Sequence, residues 1–165
     1  MRLRELESKD ANLMLEWMHD SSVTEKLGTD FKKKELKDCL CFIENAKDKS
    51  SNLHLAIAND EDEYMGTVSL KHIDSGNKTA EFAITVRKTA MGKGYSKFGM
   101  KEIIDIGLEQ YMLNNIYWCV STENQRAIRF YDKNGYSRVE NVPAHVTAYY
   151  SLEQQNNFIW YVVTK

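Results

Sequence analysis

Residues 79–101, TAEFAITVRKTAMGKGYSKFGMK, carry the most informative pattern in the chain. Residues 79–87 are rich in β-branched and apolar side chains, which predicts a strand. A short turn containing Gly92 and Gly94 follows, and residues 95–112 have the apolar spacing of a helix. Free amides and the helix dipole at such a helix start bind phosphate, and glycines let the backbone approach it closely. The segment therefore predicts a strand–turn–helix unit with an anion site at the turn.

The charges in this segment favour the same interpretation. Between Glu81 and Glu102 there are five basic residues and no acidic one, although the whole chain has a net charge of −2. The five are Arg87, Lys88, Lys93, Lys97 and Lys101. Such a local excess predicts a polyphosphate-bearing ligand, with a solvated helix face as the alternative. The segment is neither a P-loop, G-x-x-x-x-G-K-[ST], nor a G-x-G-x-x-G turn.

The elements predicted on either side of this segment define the fold class. Upstream, the apolar periodicity predicts a strand, three helices and two strands over residues 1–6, 9–19, 23–27, 32–47, 52–58 and 64–73. Downstream it predicts a strand, a helix and two strands over residues 115–121, 123–134, 136–142 and 158–163. This order predicts an α+β domain, a central, mostly antiparallel sheet of six to seven strands with helices on both faces. The length of 165 residues fits a single domain over residues 1–165.

Composition narrows the function classes. With 42% apolar and 28% charged residues, the chain has the composition of a globular domain. The near balance of 22 basic and 24 acidic residues lacks the basic excess of a general nucleic-acid binder, so we expect no nucleic-acid partner. There is no long apolar run and no signal-peptide pattern, which predicts a cytoplasmic protein without a membrane span. The cysteines at 39, 41 and 119 have no metal-site spacing, so we expect no metal.

A second informative stretch is ENQRAIRFYDKNGY at residues 123–136. Thr122 and Gln125 have the spacing of a capping box, which predicts the start of a helix there. Asn124 and Tyr131 are seven residues apart and therefore lie on one face of that helix. Taken alone, the stretch favours Tyr131 as a core aromatic and Asn124 as a first-turn polar residue.

Together the two stretches resemble the motifs of the GNAT superfamily of acyl-CoA-dependent N-acetyltransferases. The family's phosphate-binding motif, [Q/R]-x-x-G-x-[G/A], falls on Met91, Gly94 and Ser96, and both Met91 and Ser96 depart from it. The family's second motif, N-x-x-A-x-x-x-Y-x-K-x-G-[F/Y], matches at Asn124, Ala127, Tyr131, Lys133, Gly135 and Tyr136. The opening Arg2-Leu3-Arg4 is similar to the subgroup of ribosomal-protein-alanine and amino-sugar acetyltransferases.

The resemblance implies an enzyme that transfers an acetyl group from acetyl-CoA to a primary amine by direct attack. It implies that the amides of residues 92–96 bind the pyrophosphate and that the end of the 79–87 strand pairs with the pantetheine arm. The 115–121 strand is expected to splay away from it and admit the thioester. The implied coenzyme-binding residues are Thr85, Val86, Met91, Gly92, Lys93, Gly94, Tyr95, Ser96, Asn124 and Lys133.

The resemblance also implies two catalytic residues. Glu81 is the expected general base, acting through water, and Tyr131 is expected to protonate the departing thiolate. The reserve candidates for the base are His19, His72 and His145. The acceptor site is expected between the N-terminal helices and the 143–157 loop. A protein N-terminus, an amino sugar, a polyamine and an antibiotic stay open as the small-molecule or peptide amine.

Two alternatives from other classes remain. The departures at Met91 and Ser96 are compatible with a non-catalytic acyl-CoA-binding module of the same fold. The basic residues between 87 and 101 are compatible with an RNA-binding surface, although the aromatic platform typical of such domains is missing. A homodimer through an exposed strand edge and a monomer are both left open.

Overall fold

The computed structural model describes residues 1–165. The strands are β1 Arg2–Glu5, β2 Leu53–Ala58, β3 Tyr64–Asp74, β4 Thr79–Val86, β5 Asn115–Ser121, β6 Ser137–Arg138 and β7 Phe158–Thr164. The helices are α1 Ala11–Met18, α2 Ser21–Thr24, α3 Leu36–Asn45, α4 Tyr95–Glu109, α5 Gln125–Lys133, α6 Ala144–Thr147 and α7 Leu152–Asn156, with 3₁₀ turns at Ser8–Asp10 and Lys88–Ala90. All strands form one seven-stranded sheet in the order β1-β2-β3-β4-β5-β7-β6, which confirms the predicted α+β fold. None of the helices has the length and apolarity needed to cross a membrane.

The centre of the sheet contains its only parallel pair. β4 and β5 pair in parallel over Thr79–Glu81 and Asn115–Tyr117 alone, whereas the other neighbours are antiparallel. A parallel pair needs a crossover, and α4 supplies it. Beyond Glu81 the two strands part and leave a cleft in the sheet, as the family resemblance implied.

Helices cover both faces of the sheet. Side chains alternate along each strand, so each strand contributes to both layers. On one face α4 and α5 pack over the larger core, which includes Met100, Ile103 and Trp118. On the other face α1 and α3 cover a second cluster around Trp17 and Ile43. α6 covers a small third cluster next to β5 and β7.

Several predicted boundaries change. The helix expected over 32–47 spans Leu36–Asn45. Glu35 is its N-cap and forms a capping box, so the lysines at 32–34 lie outside the helix. α5 begins at Gln125 with Asn124 as its cap, not Thr122, since Asn124 Oδ1 accepts from the Ala127 amide at 3.2 Å. The strand expected over 136–142 is reduced to two residues, and the 143–157 loop contains α6 and α7.

The basic residues of the 87–101 segment do not form one surface. Arg87 is 6% exposed and donates to Glu16 at 3.0 Å, to Glu63 at 2.6 Å and to the Tyr64 carbonyl at 3.0 Å. These bonds tie the end of β4 to α1 and to the start of β3. Lys101 pairs with Asp105 within α4 at 2.7 Å. Arg87 is therefore structural and Lys101 is paired at the surface of α4, so the predicted anion-binding charge is limited to the lysines near the turn.

Candidate active site

The turn before α4 exposes a row of backbone amides. Gly92 and Gly94 have φ of +74° and +88°, a left-handed conformation that only glycine adopts at low cost. Gly94 is the cap residue of α4, and no side chain caps this helix. Lys93 donates its amide to the Ala90 carbonyl at 3.3 Å, whereas the amides of Gly92, Gly94 and residues 95–97 have no acceptor. Free amide donors at a helix start suit an anion, so the predicted anion site at this turn stays a prediction that the geometry allows.

The end of β4 directs backbone groups into the cleft. The Arg87 amide donates to the Met65 carbonyl on β3 at 2.9 Å. Because alternate residues of an antiparallel strand point their backbone groups to opposite sides, Val86 and Ile84 face the β5 side. β5 has separated from β4 there, so these groups form an open strand edge. Thr85, expected to share this pairing, directs its backbone toward Thr67 on β3 instead.

The cleft leads into a cavity of about 460 Å³ between β4, α4, α5 and the α2 segment, which we call the cleft cavity. Its lining includes seven of the predicted residues, namely Thr85, Val86, Met91, Gly92, Ser96, Asn124 and Tyr131. Lys93, Gly94 and Tyr95 belong to the adjoining turn and helix start without lining the cavity. Lys133 is exposed in the last turn of α5, away from the cavity.

Tyr131 combines a buried ring with an available hydroxyl. The residue is 6% exposed, and its ring packs on Trp118 and Tyr161 with centroid distances of 5.3 and 5.1 Å. Burial raises the pKa of the phenol well above its ordinary range. The hydroxyl has no protein partner, and it is not among the two fully buried unpartnered side-chain atoms, Glu81 Oε2 and Trp118 Nε1. It is therefore open to the cleft cavity.

Sequence reasoning missed two cations at this cavity, Arg126 and Lys26, of which Lys26 pairs with Glu123 at 3.7 Å. Arg126, in the first turn of α5, lines the cleft cavity and has no acidic partner. Its Nη1 lies 3.1 Å from the Met91 sulfur, so the side chain leans toward the turn before α4. Arg126 occupies an unspecified x position of the second motif. Only its place in the first turn of α5 could have indicated from the sequence that it lines the cavity.

A second cavity of about 420 Å³ lies on the opposite face of the sheet, beneath α1 and α3, and we call it the face cavity. Its aromatic lining is Trp17, Phe31, Phe42 and His54, and its hydroxyl groups come from Thr29, Thr67, Ser69 and Thr85. The charged residues of the lining are Lys34, Lys71 and Asp38. The two cavities share Ile84 and Thr85, so they meet along the part of β4 that lies beyond its pairing with β5.

The three histidines named as reserve candidates for the base each have a partner outside the two cavities. His19 bonds the Lys34 carbonyl at 2.9 Å, His72 stacks on Tyr149 at 3.5 Å, and His145 bonds Thr79 at 3.1 Å. None of these three lines the cleft cavity or the face cavity. His54, which the sequence did not single out, does line the face cavity. No group of three or more His, Cys, Asp or Glu side chains is arranged to hold a metal ion.

Glu81 is buried beside the cleft and lines neither of these cavities. It is 4% exposed, and its Oε1 accepts from Lys71 at 2.9 Å and from the Tyr150 hydroxyl. Its Oε2 is buried without a partner. Burial raises the pKa of Tyr150 far above its ordinary range, so that phenol stays protonated as a donor. Lys71, unlike Glu81, reaches the face cavity.

The cleft cavity fits a long acyl carrier with a phosphate-bearing end. Backbone amides without acceptors lie at the turn before α4, and β4 has an open strand edge. The Tyr131 hydroxyl, which has no protein partner, lines the cavity. Such a set can bind phosphates, pair with amide groups and protonate a leaving atom.

Comparison with known proteins agrees with this geometry. A family model described as an acetyltransferase (GNAT) domain matches residues 1–137. The uncharacterized N-acetyltransferase p20 of Bacillus licheniformis is 27% identical over 134 residues, covering 78% of this chain and 74% of that protein. Spermidine N(1)-acetyltransferase of Escherichia coli (strain K12) is 35% identical over 75 residues, 46% of this chain and 40% of that enzyme.

A solved structure shows the same fold over nearly the whole chain. Spermidine N-acetyltransferase from Vibrio cholerae, in complex with CoA and spermine, superposes with a TM-score of 0.80. The identity is 16%, and the match covers 99% of this chain and 94% of that one. Because the family model also spans most of the sequence, the chain belongs to the GNAT acetyltransferase family and is an N-acetyltransferase that uses acetyl-CoA.

Proposed function

We propose that this chain, acting as one N-acetyltransferase domain, acetylates the primary amine of a small molecule of the amino-sugar class. The observation that carries the proposal is the meeting of the cleft cavity and the face cavity at Ile84 and Thr85. An acyl donor in the first and an amine in the second would face each other there. Direct attack needs only this juxtaposition and a path for two protons.

The cleft cavity would hold acetyl-CoA. The free amides at Gly92, Gly94 and Ser96 would donate to its phosphates, and the Arg126 guanidinium adds a positive charge beside them. The open edge at Ile84 and Val86 would pair with the amide groups of the pantetheine arm. Acetyl-CoA supplies the acetyl group activated as a thioester.

The protein groups at the meeting point support the transfer. An amide donated by Val86 would polarise the carbonyl that the amine attacks, as an oxyanion hole does. The carbon–nitrogen bond forms while the carbon–sulfur bond breaks, and the Tyr131 hydroxyl gives its proton to the departing sulfur. Glu81 is the base that the family resemblance implied, but its carboxylate lies behind Lys71 and Tyr150 and needs an intermediary to reach the amine.

The lining of the face cavity favours a hydroxylated amine with a single positive charge. Aromatic faces and hydroxyl groups provide the stacking and hydrogen bonds that a sugar ring uses. Asp38 is the only carboxylate in the lining, against Lys34 and Lys71. A polyamine carries several positive charges and would need more acidic partners to offset its desolvation.

Two other acceptors retain support. A polyamine is favoured by the names of the spermidine N-acetyltransferases among the relatives. A peptide amine, as in the ribosomal-protein-alanine subgroup, is compatible with a face cavity open to solvent. A homodimer and a monomer are both still open, and a dimer through a strand edge would use β1 or β6, the two edges of the sheet.

An acetylation panel tests the proposal. Glucosamine, spermidine and a peptide beginning with alanine are each offered with acetyl-CoA at pH 8, and CoA release is followed. We expect the highest kcat/KM with glucosamine, by tenfold or more. The highest value with spermidine would replace the amino sugar by a polyamine. Acetyl-CoA binding without turnover of any amine would favour a non-catalytic acyl-CoA-binding module.

A further inference from the structure

We propose that His54 is a catalytic residue whose Nε2 removes the proton from the attacking amine. The proposal rests on the proposed function, because it assumes that the amine binds in the face cavity. It assigns the base to β2, two strands away from the position of Glu81 on β4.

The sheet register places His54 in a row that crosses the face cavity. His54 on β2 is opposite Ser69 on β3, and Ser69 is opposite Ala83 on β4. All three residues line the face cavity. Adjacent strands are about 4.8 Å apart, so the His54 backbone lies about 10 Å from β4. An imidazole side chain and a small amine together span that distance.

The His54 ring is held at one nitrogen and free at the other. Nδ1 lies 2.7 Å from Ser69 Oγ. Nε2 has no partner, yet it is not among the fully buried unpartnered atoms of the protein. It is therefore open, and the residue borders the face cavity. We assign the tautomer in which Nδ1–H donates to Ser69, which leaves the Nε2 lone pair facing the cavity.

The surroundings keep the imidazole neutral. Burial lowers the pKa of His54 below its ordinary 6.5, and the positive charge of Lys71 lowers it further. The charged groups around it are Lys71 on β3, Asp38 on α3 and Lys34 before α3, with Glu81 on β4 bound to Lys71. None of them bonds the ring, and Phe42 packs against it at 4.8 Å. A neutral imidazole accepts a proton at pH 7.

The proton balance of the step is simple. The bound ammonium gives one proton to Nε2, and His54 becomes an imidazolium. The freed lone pair forms the carbon–nitrogen bond, the carbon–sulfur bond breaks, and the sulfur receives the Tyr131 proton. Of the second amine proton and the proton on His54, one then returns through water to Tyr131 and restores the phenol, and the other is released to solvent.

The pH dependence of kcat tests the proposal against the Glu81 alternative. Wild type, His54→Gln and Glu81→Gln are compared from pH 5 to 9 with saturating acetyl-CoA and glucosamine, or the panel amine that wild type acetylates fastest. We expect wild-type kcat to fall tenfold per pH unit below the His54 pKa, which lies under 6.5. His54→Gln should lose this limb and about 10²-fold or more in kcat at pH 7, with an unchanged KM for acetyl-CoA. Glu81→Gln should keep the limb.

Two results would overturn the assignment. One is a His54→Gln enzyme with wild-type kcat and pH profile, and the other is loss of the limb in Glu81→Gln alone. Gln retains an amide that can bond Ser69, so the variant is designed to fold, and its thermal shift with acetyl-CoA checks this. If it does not fold, ¹⁵N NMR of wild-type histidines decides. The titration midpoint of His54 must equal the midpoint of the acidic limb of kcat, and a mismatch overturns the proposal. Absence of turnover by wild type with every panel amine would instead refute the proposed function.

Discussion

Tyr131→Phe removes one oxygen atom from the wall of the cleft cavity and nothing else. The hydroxyl has no protein partner, so no buried group loses a hydrogen bond. The ring stays packed on Trp118 and Tyr161. We therefore expect the free energy of unfolding to change by less than about 1 kcal/mol. If the phenol protonates the leaving sulfur, kcat falls about 10²–10⁴-fold, or about 2.7–5.4 kcal/mol in the activation barrier.

A thiol-reactive chromophore follows CoA release in this experiment. Cys41 is exposed and reacts with the reagent as well, so all variants carry Cys41→Ser. Tyr136→Phe is the matched control, because Tyr136 belongs to the same aromatic cluster, 6.2 Å from Tyr131, without lining the cleft cavity. We expect the control to keep wild-type kcat. The KM for acetyl-CoA should stay within about threefold in both variants.

The pH profile adds an independent check on Tyr131. Because burial raises the pKa of this phenol, the group stays protonated above its ordinary range, and kcat should not fall between pH 7 and 9 through loss of the acid. Tyr131→Phe with kcat within threefold of wild type would remove the hydroxyl from the mechanism. An equal loss in Tyr136→Phe would attribute the effect to packing.

Two further predictions concern the scaffold. Arg87→Met breaks the ion pairs at the end of β4, and we expect the free energy of unfolding in urea to fall by about 2–3 kcal/mol. This is less than for a fully buried pair, because Glu16 and Glu63 are about half exposed. A decrease under about 0.5 kcal/mol would contradict the structural role of Arg87. Gly94→Ala places a side chain at φ +88°, which costs about 1–2 kcal/mol, and we expect it to weaken acetyl-CoA binding about tenfold in calorimetry. Gly28→Ala is the control, because nothing lies within 4 Å of its new Cβ, and it should leave acetyl-CoA binding unchanged.

The fold was predictable because its signals are local. The alternation in residues 79–87, the glycine turn and the helical spacing after it each indicate one element, and their order permits few sheets. The parting of β4 and β5 followed from the family resemblance and agrees with the register. The C-terminal region was less predictable, since the apolar residues over 136–142 belong to a two-residue strand and a loop and not to one longer strand.

The parts of the site that sequence reasoning missed depend on contacts between distant strands. Nothing near His54 in the sequence marks it, and only the pairing of β2 with β3 brings Ser69 to its ring. The burial of Arg87 depends likewise on Glu16, 71 residues earlier in the chain. Glu81 was expected to act through water, and its partners Lys71 and Tyr150 became visible only in the folded chain.

Thermal unfolding with acetyl-CoA, CoA and ATP, each added separately, tests the central claim that the cleft cavity binds the coenzyme. At about 100 times its Kd, a ligand adds about 2.7 kcal/mol of stability, which raises Tm by about 5–11 °C for a chain of this size. We predict this rise with acetyl-CoA and CoA and none with ATP, because ATP lacks the pantetheine arm that pairs with β4. An unchanged Tm with both coenzymes, or an equal rise with ATP, would contradict the account.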